Sequence, residues 1–258
     1  LADFRENHDG LTVQLVSVNE IYNEFSSGKQ DVTAIRDYIK FIYDQGNNSD
    51  RIQSVLLFGK GSFDYKDRID RNTNFVPIYS SRNSLHPISS YSSDDYFTFM
   101  DAEEGEWPES GNGNHLMDVG IGRLPVKTIE EARIVVDKLI NYALNTETLG
   151  NWRNEIVYVA DDGDNNLHQK DADKLATLVD TSYTQFNVNK IYIDAFEQVQ
   201  TSIGETSPGA KEEFERSIDK GGLIVNFTGH GSPTRWTSET ILNISSILEL
   251  ENYNKLPL

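Results

Sequence analysis

The sequence predicts an α/β fold with mainly parallel sheets, because strand-like and helix-like patterns alternate along its 258 residues. Short apolar runs, typical of strands buried in a parallel sheet, recur between segments whose apolar residues follow helical spacing. The alternation relaxes at residues 146–151, which predicts a first subdomain at 1–148 and a second at 149–258. The chain shows no internal repeat at the period of a solenoid.

In the first subdomain, the predicted elements begin with a strand at residues 13–18 and a helix at 31–45. A continuous aliphatic strand at 55–58 is expected to be buried on both faces. Further short strands are predicted at residues 75–79, 96–100 and 119–121. Thr128 and Glu131 have the spacing of a capping box, which predicts the start of the next helix.

The second subdomain repeats the alternation. Its strands are predicted at residues 156–160, 190–194 and 223–227. Helices are predicted at 170–185 and 245–253. Another helix is expected to begin at Ser207 and Pro208, a capping residue followed by a first-turn proline, and to stop at Gly221.

Charge and cysteine content exclude several classes of function. A formal net charge of −18 argues against binding nucleic acid or anionic lipid, which both require clustered Lys and Arg. The sequence contains no Cys, so these residues hold no disulfide, thiolate metal site or cysteine nucleophile. No apolar run approaches the roughly 20 residues of a membrane span, so direct membrane insertion is not expected.

Three polar loops follow predicted strands, where the sites of open α/β sheets gather. The first loop, residues 59–64, resembles half of a dinucleotide fingerprint but lacks the third Gly. A turn permitted by glycine is therefore favoured there. A nucleotide-binding enzyme ranks last among the functional hypotheses.

The second loop, residues 161–166, is acidic. Asp162, Asp164 and Asn166 fit the first ligand positions of a calcium loop, but Leu167 stands where an EF-hand requires Gly. Three interpretations stay open: an irregular calcium site with Asp161 and Asp164 as ligands, a solvated acidic turn, and a carboxylate that orients a histidine.

The third loop, residues 228–233, places His230 between Gly229 and Gly231 directly after a buried strand. His230 is a candidate general base, and the N–H group of Gly231 is a candidate oxyanion donor. A Gly-rich turn without catalytic function remains the alternative. Because the other histidines lack ligand spacing, zinc is disfavoured; they are His8, His86, His115 and His168.

The sequence TGHGS at 228–232, followed by Trp236, resembles the histidine motif of the gingipain-like cysteine peptidases. Residues 119–125 and the helix after them resemble the end of that family's first subdomain. Further matches keep the family's order at residues 34–39, 55–59 and 93–96. Within the family, the chain is most similar to the type IX secretion system sortase of Bacteroidetes. The resemblance implies a caspase-like α/β fold in two subdomains, the second incomplete, and a Cys–His dyad.

The resemblance also implies roles for individual residues. His230 is the catalytic histidine, and Gly231 supplies an oxyanion-hole N–H. Asp162 matches best the acidic residue that contacts the histidine, with Asp161 as the fallback.

Substrate contacts and cofactors are implied as well. Asn165 and Trp236 are expected to contact the substrate. Asn165 stands where arginine-specific gingipains carry an acidic residue, so the resemblance does not extend to arginine specificity. No cofactor is required, and calcium is an optional ligand because several family members bind it.

The nucleophile is expected beyond Leu258. Residues 256–258 match the step that precedes the family's nucleophile strand, so the chain itself is expected to be inactive. The implied function is an exported cysteine endopeptidase at the outer membrane surface or outside the cell. As a sortase, it cleaves C-terminal sorting signals of secreted proteins, alongside other secretion-system components. The alternatives are a non-catalytic binding or scaffold module, which the absence of Cys favours, and a calcium-stabilised adhesion module.

Overall fold

The computed structural model describes residues 1–47, 51–82, 86, 90–104, 114–202 and 204–257. The chain divides into two compact units, Leu1–Ile140 and Asn141–Leu258. The sequence places this division slightly later, at 148/149. Leu258, the last residue of the predicted step before the nucleophile strand, lies outside the described residues.

The described part of the first unit combines helices with two small sheets. Its helices are α1 (Ala2–Asp9), α2 (Val18–Phe25), α3 (Val32–Gln45) and α4 (Ile129–Leu144), the last of which runs across the division. Its strands are β1 (Ser54–Phe58), β2 (Tyr79–Ser80), β3 (Ser92–Ser93) and β4 (Gly120–Leu124). Strands β1 and β4 pair in parallel, and β2 and β3 pair antiparallel.

Three predicted strands of the first unit need correction. The strand predicted at residues 75–79 is reduced to β2, Tyr79–Ser80. At residues 13–18 the chain is irregular until Ser17, which caps α2 in a reciprocal capping box with Glu20. The capping signal therefore overrides the apolar run before it. At residues 96–100, a 3₁₀ helix over Asp95–Thr98 replaces the strand, since Phe97 N–H donates to Asp94 O at 3.1 Å.

Strand β1 lies where the sequence predicts it, but it is not buried on both faces. Leu57 is buried, whereas Leu56 and Phe58 are exposed over 50% and 43% of their surfaces. The prediction of a strand covered on both sides is therefore wrong for this unit. Leu57 belongs to a core that β1 forms with α2, α3 and the 3₁₀ helix.

The second unit contains a three-stranded parallel sheet. The strands of the whole unit, including two short antiparallel pairs, are β5 (Glu155–Ala160), β6 (Asn187–Tyr192), β7 (Val199–Thr201), β8 (Gly204–Thr206), β9 (Ile224–Thr228), β10 (Arg235–Trp236) and β11 (Leu242–Asn243). Its helices are α5 (Gly163–Ser182), α6 (Pro208–Lys220) and α7 (Ile244–Leu248). The sheet has the order β6-β5-β9, and β7–β8 and β10–β11 are antiparallel pairs.

Strand β5 lies at the centre of this sheet, and its side chains alternate between two apolar layers. Val157 and Val159 pack in a cluster with Phe214 of α6. Ile156, Tyr158 and Ala160 pack on the opposite face, in a cluster with Ala172 and Ala176 of α5. Helices on both faces explain why β5 is almost entirely buried.

The parallel pairing of β5 and β9 sets up the site. Ala160 lies opposite Thr228 at the carboxyl end of both strands. Consequently, the loops that start at Asp161 and Gly229 leave the same edge of the sheet, as the sequence predicts for an open α/β fold.

Candidate active site

Asp161 is the residue on which the site is built. Its N–H group donates to Thr228 O at 3.0 Å, which extends the strand pairing by one residue. Its side chain is buried beneath the loop that follows β9. A buried carboxylate must be hydrogen-bonded to be tolerated, and the loop of His230 supplies its partners.

His230 is held by two hydrogen bonds to one oxygen of Asp161. The backbone N–H of His230 donates to Asp161 Oδ2 at 3.0 Å, and ring Nδ1 lies 3.2 Å from the same oxygen. A carboxylate can only accept, so the neutral ring carries its proton on Nδ1. In that tautomer Nε2 is the nitrogen that can accept a proton; it lies 3.4 Å from Asp164 Oδ2, and 62% of the side chain is exposed. This arrangement suits a general acid–base residue.

Gly229 allows the two loops to approach this closely. A Cβ atom on Gly229 would lie 2.3 Å from Asp161 Cβ and 3.0 Å from Phe227 Cζ. The first separation is shorter than any carbon–carbon van der Waals contact. Glycine is therefore required at 229 by the packing of the backbone against Asp161.

Gly229→Ala is expected to push Asp161 and His230 apart and to lower the free energy of unfolding by about 1–3 kcal/mol, the usual cost of overpacking. Chemical denaturation of the 258-residue chain measures the loss. Gly122→Ala is the matched control, because a Cβ atom there meets nothing within 4 Å. Equal stabilities of the two variants would contradict the close approach at Gly229.

The structure corrects the assignment of the acidic partner. Asp161, the fallback in the sequence, contacts His230, whereas the carboxylate of Asp162 accepts a hydrogen bond from Gln198. The cause is the backbone: Asp161 still pairs with β9, while Asp162 adopts helical dihedral angles at the N-cap of α5. The Asp162 side chain therefore points away from His230, although Asp162 is only one residue further along the chain than Asp161.

Asp164 and His168 complete the surroundings of the His230 ring. Asp164 Oδ2 lies 3.4 Å from His230 Nε2 and 3.5 Å from His168 Nε2. The two imidazole rings meet edge to face, with centroids 4.7 Å apart. The sequence predicts Asp161 and Asp164 as calcium ligands, and in the structure both carboxylates face His230.

His168 reaches this position because the start of α5 is not a regular helix. Asp164, Asn165 and Asn166 have φ values of 54°, 55° and 61°, in the left-handed region that Asp and Asn tolerate best. The sequence does not reveal His168 as a site residue, because linear spacing does not show this turn. The run Asp164-Asn165-Asn166 was the one sign in the sequence of a left-handed turn, because Asp and Asn tolerate that conformation best.

Gly231 has the free N–H group that the oxyanion prediction needs. Around it, Ser232 N–H donates to Arg235 O at 2.9 Å and Thr237 N–H donates to His230 O at 3.0 Å. Gly231 lies between these bonds, and within the described residues its own N–H makes no hydrogen bond. It is therefore available to a ligand beside His230.

Of the two residues predicted to contact substrate, Trp236 packs in the core and Asn165 is exposed. Trp236 is partly buried and stacks on Phe227, with centroids 4.4 Å apart, while its edge meets Phe214. It belongs to the core beneath the His230 loop. Asn165 is exposed in the left-handed turn and remains accessible to a substrate.

Glu239 is an acidic residue that lies outside the three polar loops recognised in the sequence. It is buried, and its Oε2 atom has no hydrogen-bond partner among the described residues. Burial raises the pKa of the Glu239 carboxyl, and the Asp162 and Asp161 carboxylates raise it further. The folded chain therefore holds this proton more tightly than the unfolded chain.

Glu239→Gln is expected to stabilise the chain at neutral pH, since a raised pKa means that ionised Glu239 weakens the fold. Protonated Glu239 carries no such penalty, so the wild type loses stability as pH rises above 4.5, the ordinary value. Thermal unfolding at several pH values should show the variant's advantage growing with pH and vanishing in acid. An advantage independent of pH would contradict the raised pKa.

Comparison with known proteins relates the whole chain to one family of enzymes. The family model for peptidase family C25 matches residues 1–258. Gingipain R2 of Porphyromonas gingivalis is 26% identical over 152 residues, which cover 56% of this chain and 18% of that protein. Gingipain R1 of the same species gives the same identity over 14% of its length. The chain thus spans less than a fifth of these curated relatives.

Solved structures relate the fold to the same enzymes. The crystal structure of the Arg-specific cysteine proteinase gingipain R superposes with a TM-score of 0.65 at 20% identity, covering 99% of this chain and 49% of that one. The complex of Porphyromonas gingivalis RgpB pro- and mature domains gives 0.63 at 21%, covering 99% and 50%. These matches show the caspase-like α/β fold. Within the described residues, no helix has the length and apolar character of a membrane span.

Proposed function

The chain belongs to peptidase family C25, the gingipain-like cysteine peptidases, and we propose that the protein carrying it is a cysteine endopeptidase with His230 as the acid–base residue of a Cys–His dyad. The observation that carries the proposal is the Asp161–His230 pair at the carboxyl edge of the second unit's sheet. Because these 258 residues contain no Cys, the thiol comes from a residue outside them.

The geometry supports a defined division of labour. His230 Nε2 takes the proton of the thiol, and the thiolate so formed attacks the substrate carbonyl carbon. The oxygen of the tetrahedral intermediate binds the free N–H of Gly231. The C–N bond breaks as His230 donates its proton to the leaving amine. Asp161 acts as a positioning residue, because it fixes the tautomer and orientation of the ring through Nδ1.

The finer proposal is a sortase. The thioester formed in the first step can be attacked by an amine in place of water; His230 accepts the proton of the amine, a new amide forms and the thiol is released. The substrates are secreted proteins with C-terminal sorting signals, and the enzyme works with other secretion components at the outer membrane surface or outside the cell. This role rests on the resemblance described from the sequence.

The test separates the two levels of the proposal. The protein carrying this domain is incubated with a peptide that ends in a C-terminal sorting signal, with and without a primary amine, and the products are weighed by mass spectrometry. Cleavage with an amide to the added amine supports the sortase, whereas release of the free acid alone supports a peptidase and rejects the transfer step.

A non-catalytic scaffold is the second candidate, favoured by the absence of Cys from these 258 residues. If neither product forms with any substrate peptide and the protein still binds the sorting signal, the catalytic proposal fails and the scaffold replaces it.

A further inference from the structure

We propose that His168, His230 and the carboxylates beside them form a binding site for a first-row transition metal, with Zn²⁺ as the probe, and that the bound ion blocks the dyad. One donor atom from each of Asp161, His168 and His230 lies within 4.8 Å of the other two. Asp164 Oδ2 lies 3.4 Å and 3.5 Å from the Nε2 atoms of His230 and His168, so a fourth donor stands beside the cluster.

The distances suit a tetrahedral ion. Zinc binds imidazole nitrogen at about 2.0–2.1 Å, so neighbouring ligand atoms in a tetrahedral site are about 3.4 Å apart. The contacts of Asp164 already match this separation. Asp161 meets the His230 ring at Nδ1 and Asp164 meets it at Nε2, so the ring offers the ion one nitrogen at a time, beside one of these carboxylates. The His230 side chain is 62% exposed, which leaves the ring room to turn.

The state of His168 points independently to a ligand. Its Nε2 atom is buried, and within the described residues it makes no hydrogen bond, since its nearest carboxylate oxygen, Asp164 Oδ2, is 3.5 Å away. The ring of His230 packs against it edge to face. A buried ring nitrogen without a hydrogen bond is costly, and coordination of a metal would satisfy it.

The donor set selects the kind of metal. Imidazole nitrogen suits Zn²⁺, Cu²⁺ and Ni²⁺, whereas Ca²⁺ and Mg²⁺ take oxygen ligands. Two imidazoles beside two carboxylates therefore favour zinc over the calcium that the acidic sequence of the loop suggests. The sequence disfavours zinc because His168 and His230 are far apart in the chain, whereas the fold brings their rings together.

Blocking of the dyad rests on the proposed function, whereas binding of the metal does not. Coordination occupies a ring nitrogen of His230 and fixes the ring beside α5. The ring can then neither donate a proton to the leaving amine nor accept one from the attacking group. The site would act as an inhibitory site with reversible occupancy.

The binding half is tested with the metal-free 258-residue chain, titrated with ZnCl₂ in a calorimeter. One Zn²⁺ per chain is expected, and His168→Asn should weaken the affinity about tenfold or more, the usual effect of losing one partner in a metal site. Asp164→Asn, a change at an exposed side chain, should weaken it as well and guards against misfolding of the first variant.

His8→Asn is the matched control, because His8 also lies beside an Asp, at 2.6 Å from Asp9, but far from a second imidazole in the sequence. It should leave the affinity unchanged, and CaCl₂ should give no heat at this site. Equal affinities in wild type, His168→Asn and Asp164→Asn would overturn the site, as would stronger binding of calcium than of zinc.

The inhibitory half is tested on the protein carrying this domain. Zinc should inhibit peptide cleavage in the wild type at concentrations that saturate the site, and inhibition should require about tenfold more zinc in His168→Asn. Full activity with the site saturated would overturn the inhibitory role. Absence of any cleavage would instead reject the proposed function, and the calorimetric result would still decide whether the metal binds.

Discussion

His230→Ala in the protein that carries this domain is expected to lower kcat/KM for peptide cleavage by about 10²–10⁴-fold, the range for loss of a general acid–base group. The side chain is exposed toward solvent on one side and held by Asp161 on the other. Its removal therefore takes away the proton donor for the leaving amine and leaves the sheet beneath it intact.

The matched control is His8→Ala, since His8 lies on helix α1 in the other unit and beside Asp9. This variant should cleave at the wild-type rate. Thermal unfolding of both variants shows whether the fold is retained. A folded His230→Ala protein that cleaves as fast as His8→Ala would remove His230 from the mechanism.

Asp161→Asn is the second large effect, with an expected loss in kcat/KM of about 10- to 100-fold. A hydrogen bond to a charged group contributes about 1.5–3 kcal/mol, and each 1.36 kcal/mol of transition-state stabilisation corresponds to a factor of ten. An amide at 161 can donate to Nδ1, which would favour the tautomer with its proton on Nε2. The ring would then start the reaction in the wrong protonation state.

Asp162→Asn separates the two acidic candidates. Because the Asp162 carboxylate accepts from Gln198, this change should cost clearly less activity than Asp161→Asn. The ¹⁵N shifts of the His230 ring in the 258-residue chain give a readout that a merely structural role would not move. They should report the Nδ1–H tautomer in the wild type and in Asp162→Asn, and a changed tautomer population in Asp161→Asn. The reverse order of the two variants would restore the sequence-based assignment.

The position of the site could be predicted from the sequence because it follows from topology. Buried strands followed by polar loops imply a parallel sheet, and the carboxyl ends of its strands share one edge. The loops after β5 and β9 meet in this way, and His230 lies at that edge.

Contacts that depend on the residue at which a strand ends, or on the local dihedral angles of a loop, could not be predicted from the sequence. Asp161 and Asp162 are equivalent in the sequence, and only the last strand hydrogen bond to Thr228 decides which one faces His230. Likewise, the left-handed turn that starts at Asp164 brings His168 to the site, and residue spacing alone gives no sign of it.

The prediction for residues 13–18 failed for a local reason. An apolar run is typical of a strand, but the capping box of Ser17 and Glu20 starts a helix at the end of this one. A capping signal of this kind outweighs a short apolar pattern for which the described residues provide no pairing strand.

The measurement that tests the central claim most directly is covalent labelling of the protein carrying this domain with a peptide that bears a thiol-directed electrophile, followed by mapping of the adduct. We expect one labelled Cys, outside these 258 residues, and labelling that slows by about 10²-fold or more in His230→Ala. A protein that carries no adduct, or a labelling rate that does not change with His230, would show that Asp161 and His230 do not serve a cysteine nucleophile.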